Sequence, residues 1–441
     1  MRIRSEKNII QNKEKKLDSN DDIYGWLKDM FPIHRSLTGN GNRRTLKYLQ
    51  SLVPNLNLME IKSGEKVYDW KIPLEWNFDH AYIDDEFGNR ILDSKNNNLH
   101  VVSYSYPMDK HLNLDELQEF LNSRKDMPDA IPYVTSYYKK NSGFCISHSK
   151  REELTQQKYH AVINAEFTKG SMSMADLIIE GNSTKEILFS SYICHPQMAN
   201  NELSGPVVMT ALARWLSKQE NLNFTYRFIF VPETIGSIAY ICNNFNHLKK
   251  SVQAGFVVSC VGDRGEPSYG ASRMGNTYAD NLIESILTHN TKCFKKYNFL
   301  ENGGSDDRQY CSPLVDLPVV LFSRSFCDFK EYHTSLDNLD AVSPDSLGDS
   351  LSILIKLVCL IENDKKYILT THCEPQLGKR GLYRKTDDWV RPESFTNQQK
   401  FLAYCDGKTS LLQICRHTHI NPIELIPLLD ALLCHNIIEE V

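Results

Sequence analysis

The second half of the chain alternates short apolar runs with helical patterns, and this alternation constrains the fold more than any other feature. Four runs are nearly continuous in apolar residues, as expected of buried strands: EILFSSYIC, YRFIFV, AGFVVSCV and LPVVLFS. Helical patterns lie between them, including PVVMTALARWLSKQ, in which Pro206 suits the first turn. The alternation predicts an α/β domain with a mixed, mostly parallel sheet flanked by helices.

Other parts of the 441-residue chain have different patterns of apolar and turn-forming residues, so more than one domain is expected. Residues 60–155 contain turn-rich, strand-like segments, among them 130–138, and predict a small inserted α+β domain. Three short helical patterns and an apolar end at 373–441 predict a winged-helix-like module. The α/β domain is assigned residues 21–59 and 156–372, and residues 1–20 are assigned to a flexible N-terminal tail.

Composition and charge exclude several classes of protein. The net charge of -5 gives no reason to expect a nucleic-acid or anionic-membrane partner. No apolar run approaches the ~20 residues that span a bilayer, and the polar N-terminus does not resemble a signal peptide. The 12 cysteines form no CxxC pair, which favours buried thiols in a reducing compartment. We therefore expect a cytoplasmic protein that does not bind a membrane.

The C-terminal module has little of the charge that binding to DNA requires. From Cys373 to Val441 there are 8 Lys and Arg residues against 9 Asp and Glu residues. The candidate recognition helix, NPIELIPLLDALLCHN, contains no Lys or Arg, whereas phosphate contacts need positive charge. The module is therefore interpreted as a packing or protein-interaction unit, with nucleic acid an unlikely partner. Homo-oligomerisation stays open.

Four ionisable residues stand at or just after the ends of predicted strands. His195 follows EILFSSYIC, Glu233 closes YRFIFVPE, Asp263 follows GFVVSCVG, and His333 follows the strand LPVVLFS and its loop. Ligands of α/β sheets gather at the carboxyl ends of strands, and imidazoles with carboxylates are the usual ligands of catalytic zinc. Each residue alone is more often a hydrogen-bonded structural histidine or a capping acid. Four of them at comparable positions favour a metal site.

Five segments together resemble the bacterial aminopeptidase-like domain family associated with polysaccharide biosynthesis: CHPQMANNELSG, PETIGSIAY, CVGD, GGSDDRQYCSP and EYHTSLDNLD. The resemblance extends over about residues 21–441, including the insertion and the winged helix. It implies a core similar to those of zinc aminopeptidases and glutaminyl cyclases. It further implies zinc as the cofactor and a small-molecule or peptide-like substrate.

The resemblance assigns roles residue by residue and also exposes two departures. His195 matches the first metal-binding histidine, and His333 matches the late one. Asn201 stands where the relatives carry a metal-binding Asp. Glu233 matches the general base of a Glu-Glu pair, but Thr234 replaces the metal-binding second Glu. Because carboxylates offset the repulsion between two cations, these losses argue against a two-metal cluster.

One zinc ion then remains the expectation, bound by His195, His333 and one further carboxylate. Glu202 or Asp263 would supply that carboxylate; the intermediate Asp ligand of the relatives has no clear match. The alternative for Glu202 is a cap of the helix that starts near Pro206. Both interpretations of Glu202 stay open.

The loop from Gly303 to Tyr310 is a candidate for binding substrate. Asp306, Asp307 and Arg308 would contact its polar groups, or else form an internal ion pair that holds the loop. Asp337 would orient His333, or cap a turn.

The predicted reaction is hydrolysis of an amide in a peptide-like or N-acyl substrate, with Glu233 as the general base. Two alternatives stay open: acyl transfer or cyclisation of the glutaminyl-cyclase type, and an inactive binding or scaffold protein derived from a peptidase.

Overall fold

The structure, a computed structural model, describes residues 17–301, 303–325, 328–382 and 393–441. Most of the predicted N-terminal tail lies outside these ranges. The largest element is an eight-stranded sheet whose strands follow one another in space in this order: Asn57–Lys62, Ser171–Ile179, Thr225–Val231, Glu186–Tyr192, Val252–Val258, Val319–Ser323, Ser268–Gly270 and Lys295–Tyr297.

The centre of this sheet is parallel and almost entirely buried. Thr225–Val231, Glu186–Tyr192, Val252–Val258 and Val319–Ser323 run in the same direction, and antiparallel strands flank them on both sides. All seven residues of Glu186–Tyr192 are buried, which explains its continuous apolar sequence. The predicted fold class, a mixed and mostly parallel sheet flanked by helices, is confirmed.

Helices cover both faces of the sheet. One face packs against Ser204–Leu216 and against four further helices: Asn20–Met30, Asn40–Leu52, Tyr278–Asn290 and Pro344–Asn363. The other face packs against Ile235–Ser251 and against the inserted unit. Because the four parallel strands end at the same edge, their following loops meet there, and this edge positions the candidate site.

The inserted unit has its own antiparallel sheet, in the spatial order Arg90–Asp93, Glu75–Asp85, Lys158–Thr168 and Met108–Asn113. This sheet thus includes residues 158–168 as well as strands within the predicted insertion of 60–155. Smaller elements complete the unit: strands Lys66–Val67, Trp70–Lys71, Leu121–Asn122 and Phe144–Cys145, helices Leu114–Gln118 and His148–Glu152, and the 3-10 turn Asn98–His100.

The predicted strand at 130–138 is wrong, because this segment is irregular and makes only isolated bridges. Its backbone is used to hold another loop instead. Tyr133 N donates to the carbonyl of His333 (2.8 Å), and Ser335 N donates to the carbonyl of Ile131 (2.9 Å). The segment therefore joins the inserted unit to the loop that carries His333.

The C-terminal module has the predicted winged-helix architecture. Strands Asp406–Ser410, Lys366–Leu369 and Ile438–Glu440 form a sheet beside helices Glu393–Leu402, Leu411–Thr418 and Pro422–Cys434. Its apolar residues belong to the same core as helix Pro344–Asn363, and Leu412 N donates to Asp364 (2.8 Å). The module is therefore packed against the α/β domain.

The remaining described elements are short: helix Asp307–Tyr310, the π-helical turn Ala199–Leu203, the 3-10 turns Leu339–Ala341 and Gly378–Arg380. Within the described ranges, none of the helices combines the length and apolar character needed to cross a membrane.

Candidate metal centre and cleft

The loop after strand Glu186–Tyr192 carries His195 and then turns into the π-helical segment Ala199–Leu203. The carboxylate of Asp337 accepts hydrogen bonds from the backbone N–H groups of Asn200 (2.7 Å) and Asn201 (2.8 Å). Asp337 thus caps this segment and is not a hydrogen-bond partner of His333. The structure supports the capping alternative for Asp337 rather than the orienting one.

His195 lies between two carboxylates. Its Nδ1 is 2.8 Å from Oε2 of Glu202, and its Nε2 is 3.7 Å from Oε2 of Glu233. Burial alone would lower the pKa of His195, but its contacts with Cys194 and Glu202 hold that pKa well above the usual value. The Glu202 contact fixes the ring and leaves Nε2 on the side of Glu233, an arrangement typical of metal-binding histidines.

Glu202 is completely buried and does not cap the following helix. Arg35, also completely buried, places its Nε 3.7 Å from Oε1 of Glu202. The same guanidinium donates to the backbone carbonyls of His195 (2.9 Å) and Met30 (2.7 Å). Arg35 therefore provides positive charge for Glu202 and fixes the backbone of His195. Sequence reasoning missed this residue, because nothing in its local sequence indicates a distant partner.

Glu233 follows strand Thr225–Val231 and is held from the side by Ser305, whose hydroxyl donates to Oε1 (2.7 Å). Thr234 adopts φ 66° and ψ -74°, a conformation that β-branched residues rarely adopt. Its N–H donates to Asp306 (2.7 Å), which also accepts a hydrogen bond from Ser237 (2.8 Å). This hydrogen bonding offsets the strain in the turn that presents Glu233.

The three residues predicted to bind substrate lie behind Glu233. Asp306 and Asp307 are buried, and Arg308 donates to the carbonyl of Ser305 (3.0 Å). Burial, followed by the charge of Glu233, raises the pKa of Asp306 to about 7. None of the three residues lines the cleft described below.

His333 faces His195 from the opposite loop, with 5.5 Å between the ring centroids. Its ring stacks on Tyr332 (3.9 Å) and meets Tyr133 edge-on (5.3 Å). Burial, followed by the charge of His195, lowers the pKa of His333 to about 3. The ring is therefore neutral at physiological pH, which is the form that binds metals.

Asp263 occupies a different place from these residues. Its oxygens accept hydrogen bonds from Gly265 N (2.6 Å), Ser325 Oγ (2.6 Å) and Asn200 Nδ2 (2.8 Å). The carboxylate therefore organises neighbouring loops. Among the described residues, the group whose ligand atoms lie within 4.8 Å of one another is Cys194, His195 and Glu202; Asp263, Glu233 and His333 are outside it.

A cleft of about 340 Å³ opens beside His195. It is lined by residues of the strand-end loops and of the insertion: Leu37, Trp70, Tyr133, Thr135, Tyr137, Tyr138, Cys194, His195, Glu233, Thr234, Ile235 and His333. The hydroxyl groups of Tyr133 and Tyr137 lie 2.9 Å apart. The insertion thus forms an aromatic wall opposite the strand ends. Most of this wall comes from segment 130–138, which the sequence predicted to be a strand.

The donors around His195 fit a divalent metal. The Nε2 of His195, the neutral His333 and Glu233 all belong to the cleft. The buried Oδ1 of Asn201 has no hydrogen-bond partner among the described residues. Burial raises the pKa of the Cys194 thiol to about 11. The set is rich in nitrogen and oxygen donors, which suits zinc.

Comparison with known proteins establishes the class of this chain. Residues 24–364 match the family described as a domain of unknown function, DUF4910, and residues 365–440 match a winged helix-turn-helix family. Since the first match covers well over half of the sequence, the chain belongs to the DUF4910 family.

The related proteins agree with the resemblance inferred from the sequence. The chain is 41% identical over 410 residues, 92% of each protein, to a Clostridium acetobutylicum protein named as a polysaccharide biosynthesis protein with aminopeptidase-like domain. A crystal structure named as a peptidase of the same organism is 37% identical, with a TM-score of 0.91 and coverage of 99% of this chain and 100% of that one. A zinc aminopeptidase of Bacillus subtilis shares the fold, with a TM-score of 0.57, 16% identity and coverage of 79% and 95%.

Proposed function

We propose that this protein is a zinc-dependent amide hydrolase that binds one zinc ion per chain and acts on a peptide-like or N-acyl substrate. The observation that carries the proposal is the position of His195, whose Nδ1 is held by Glu202 while its Nε2 faces Glu233 across 3.7 Å. His195 and His333 would bind the ion. Glu233 is near enough to contribute as a ligand, although its proposed role is proton transfer.

This assignment changes the expected role of two carboxylates. Glu202 would orient His195 from behind, because its contact is with Nδ1 and it is closed off from the cleft. Asp263 would organise the loops, because its oxygens already accept three hydrogen bonds. Asp306 and Asp307 would position the Glu233 turn rather than contact the substrate.

Zinc, when bound, would polarise the amide carbonyl and lower the pKa of water. Glu233 would take a proton from the attacking water and return it to the leaving amine as the C–N bond breaks. The products are a carboxylic acid and an amine. Ser305 would hold the carboxylate in place by donating to Oε1 (2.7 Å), so that Oε2 faces His195 and the cleft.

The test is Glu233→Gln, which keeps the size of the side chain and removes the base. We expect unchanged zinc content by elemental analysis and a loss of amide turnover of roughly 100- to 10,000-fold, the range typical of general-base removal. Ser305→Ala serves as the matched control, because Glu233 keeps its carboxylate and loses only the hydrogen bond that orients it. The loss of turnover should therefore be smaller than in Glu233→Gln.

Three outcomes contradict parts of the proposal. Loss of zinc in Glu233→Gln would make Glu233 a ligand and move the base elsewhere. Unchanged turnover with unchanged zinc would remove Glu233 from the reaction. A wild-type protein that takes up no zinc, even when zinc is supplied, would favour the scaffold alternative.

A further inference from the structure

A second cavity lies beside the cleft, along helix Ile235–Ser251. It has a volume of about 470 Å³ and is lined mainly by apolar side chains, which include Trp70, Ile238, Ile241, Phe245, Leu314 and Val315. We call it the apolar groove. Its volume falls in the ~300–1,000 Å³ range of small-molecule sites.

The apolar groove and the cleft lie next to each other. Trp70 lines both of them, and Ile235, which lines the cleft, precedes the groove residues on the same helix. Residues at positions 235, 238, 241 or 242, and 245 share one face of a helix. At 1.5 Å per residue, the ten steps from Ile235 to Phe245 extend about 15 Å away from the site.

The cleft itself carries little charge for binding an ionic substrate. Of the described residues that line the cleft, Glu233 is the one carboxylate and none is Lys or Arg, while Asp69 lines the adjoining groove. Glu202 is closed off behind His195 and faces Arg35. An ammonium brought into such a cleft would need a carboxylate partner, because unpaired charges are costly to bury. Glu233 cannot serve both as that partner and as the free base.

We propose that the substrate is an amide whose acyl part is an uncharged, extended apolar chain that lies in the apolar groove. This inference rests on the proposed amide hydrolysis and names its substrate class. The carbonyl carbon lies between His195 and Glu233, and the chain passes Trp70 along the helix toward Phe245. Water adds to the carbonyl carbon, the C–N bond breaks, and the amine leaves with the proton returned by Glu233. The acyl chain is released as a carboxylic acid.

The test uses the zinc-loaded full-length protein and a series of acyl p-nitroanilides with acetyl, butanoyl and octanoyl chains, together with leucine p-nitroanilide. We expect kcat/KM to rise by at least about 100-fold from acetyl to octanoyl, because each added methylene is buried in the groove. The leucine compound, which carries a free ammonium, should be turned over more slowly than the octanoyl compound.

The matched variants are Leu314→Glu and Met274→Glu. Leu314 is 91% exposed and lines the groove, while Met274 is 60% exposed and does not line either cavity. Both substitutions are therefore compatible with folding. Leu314→Glu should reduce the octanoyl-to-acetyl ratio of kcat/KM by about 10-fold or more, whereas Met274→Glu should leave that ratio unchanged.

The outcomes separate this inference from the proposed function. Faster turnover of leucine p-nitroanilide, or no dependence on chain length, would overturn the inference while leaving the hydrolase intact. Preference for an amide within an apolar peptide over every acyl p-nitroanilide would assign the groove to a peptide segment and also overturn it. If no compound is hydrolysed, calorimetric titration of zinc-loaded Glu233→Gln decides: tighter binding of the octanoyl than the acetyl compound supports the inference, and equal or absent binding overturns it.

Discussion

Replacing Arg35 by Met should destabilise the protein strongly, although Arg35 lines neither the cleft nor the surface. Its guanidinium is completely buried, lies 3.7 Å from Glu202, and donates to two backbone carbonyls. At an effective dielectric constant of about 20, two unit charges at this separation attract by roughly 4 kcal/mol. Arg35→Met takes one of two positive partners from the buried Glu202 and leaves it with His195 alone. Breaking a buried ion pair from one side typically costs about 3–5 kcal/mol, and we expect a loss in this range.

The double variant Arg35→Met with Glu202→Gln tests whether charge pairing is the cause. Because the second substitution removes the carboxylate that Arg35 pairs with, the double variant should be more stable than the sum of the two single losses implies, by about 1.5–3 kcal/mol. The assay is urea unfolding of the four proteins without zinc, followed by tryptophan fluorescence. Losses that add within about 0.5 kcal/mol would refute the reasoning.

A surface ion pair provides the control for this cycle. Arg214 and Asp18 lie 2.8 Å apart, but the Arg214 side chain is 31% exposed. A partly exposed pair contributes at most about 1 kcal/mol. The coupling free energy between Arg214 and Asp18 should therefore be clearly smaller than the one between Arg35 and Glu202. Equal coupling in the two pairs would mean that burial does not govern the effect at Arg35.

Three further predictions concern the site and the contact between the inserted unit and helix Asn40–Leu52. His195→Ala and His333→Ala should each abolish tight zinc binding without unfolding the protein; full zinc affinity in either variant would make that histidine structural. Asn201→Asp should raise the zinc content above one ion per chain, because it adds a carboxylate beside the site; unchanged content would show that Asn201 does not limit the number of ions. Glu75 has its pKa lowered from 4.5 to about 2, chiefly by hydrogen bonds from Arg43, so its contribution to stability is full above pH 4.5 and disappears toward pH 2. Because Arg43 is partly exposed, we expect Glu75→Gln to cost on the order of 2 kcal/mol at pH 7 and clearly less at pH 3, measured by urea unfolding at both pH values; a loss independent of pH would contradict this cause.

The sequence predicts the central strands and the positions where they end, because buried parallel strands have continuous apolar sequences. His195 and Glu233 could be placed for this reason, since each directly follows such a run. The segment 130–138 could not, because alternating aromatic and polar residues describe a cleft-lining loop as well as a strand. Its conformation depends on backbone partners at His333 and Ser335, which lie about 200 residues away.

The roles of individual carboxylates were harder to predict than their positions. Asp263 and Glu202 both stand beside the expected ligand positions in the sequence. Which of them faces His195 is decided by loop hydrogen bonds and by Arg35, and neither leaves a local sequence pattern. Asp306 and Asp307 looked like substrate-binding groups because they follow two glycines, yet both are buried under the Glu233 turn. The domain boundaries and the assignment of ligands stay predictions.

Charge balance links the single-ion proposal to the proposed chemistry. Two divalent ions would bring four positive charges to a cleft whose described lining residues include one carboxylate, Glu233, because Asn201 and Thr234 are neutral and Glu202 is paired with Arg35. One ion leaves a net charge of about +1 beside the carbonyl, which favours the negative charge that develops on oxygen during attack. Two ions would leave about +3 in a largely apolar site, and this is costly to bury. The two neutral residues therefore suit a one-zinc hydrolase, in which the same loss of carboxylates also disfavours substrates with a free ammonium.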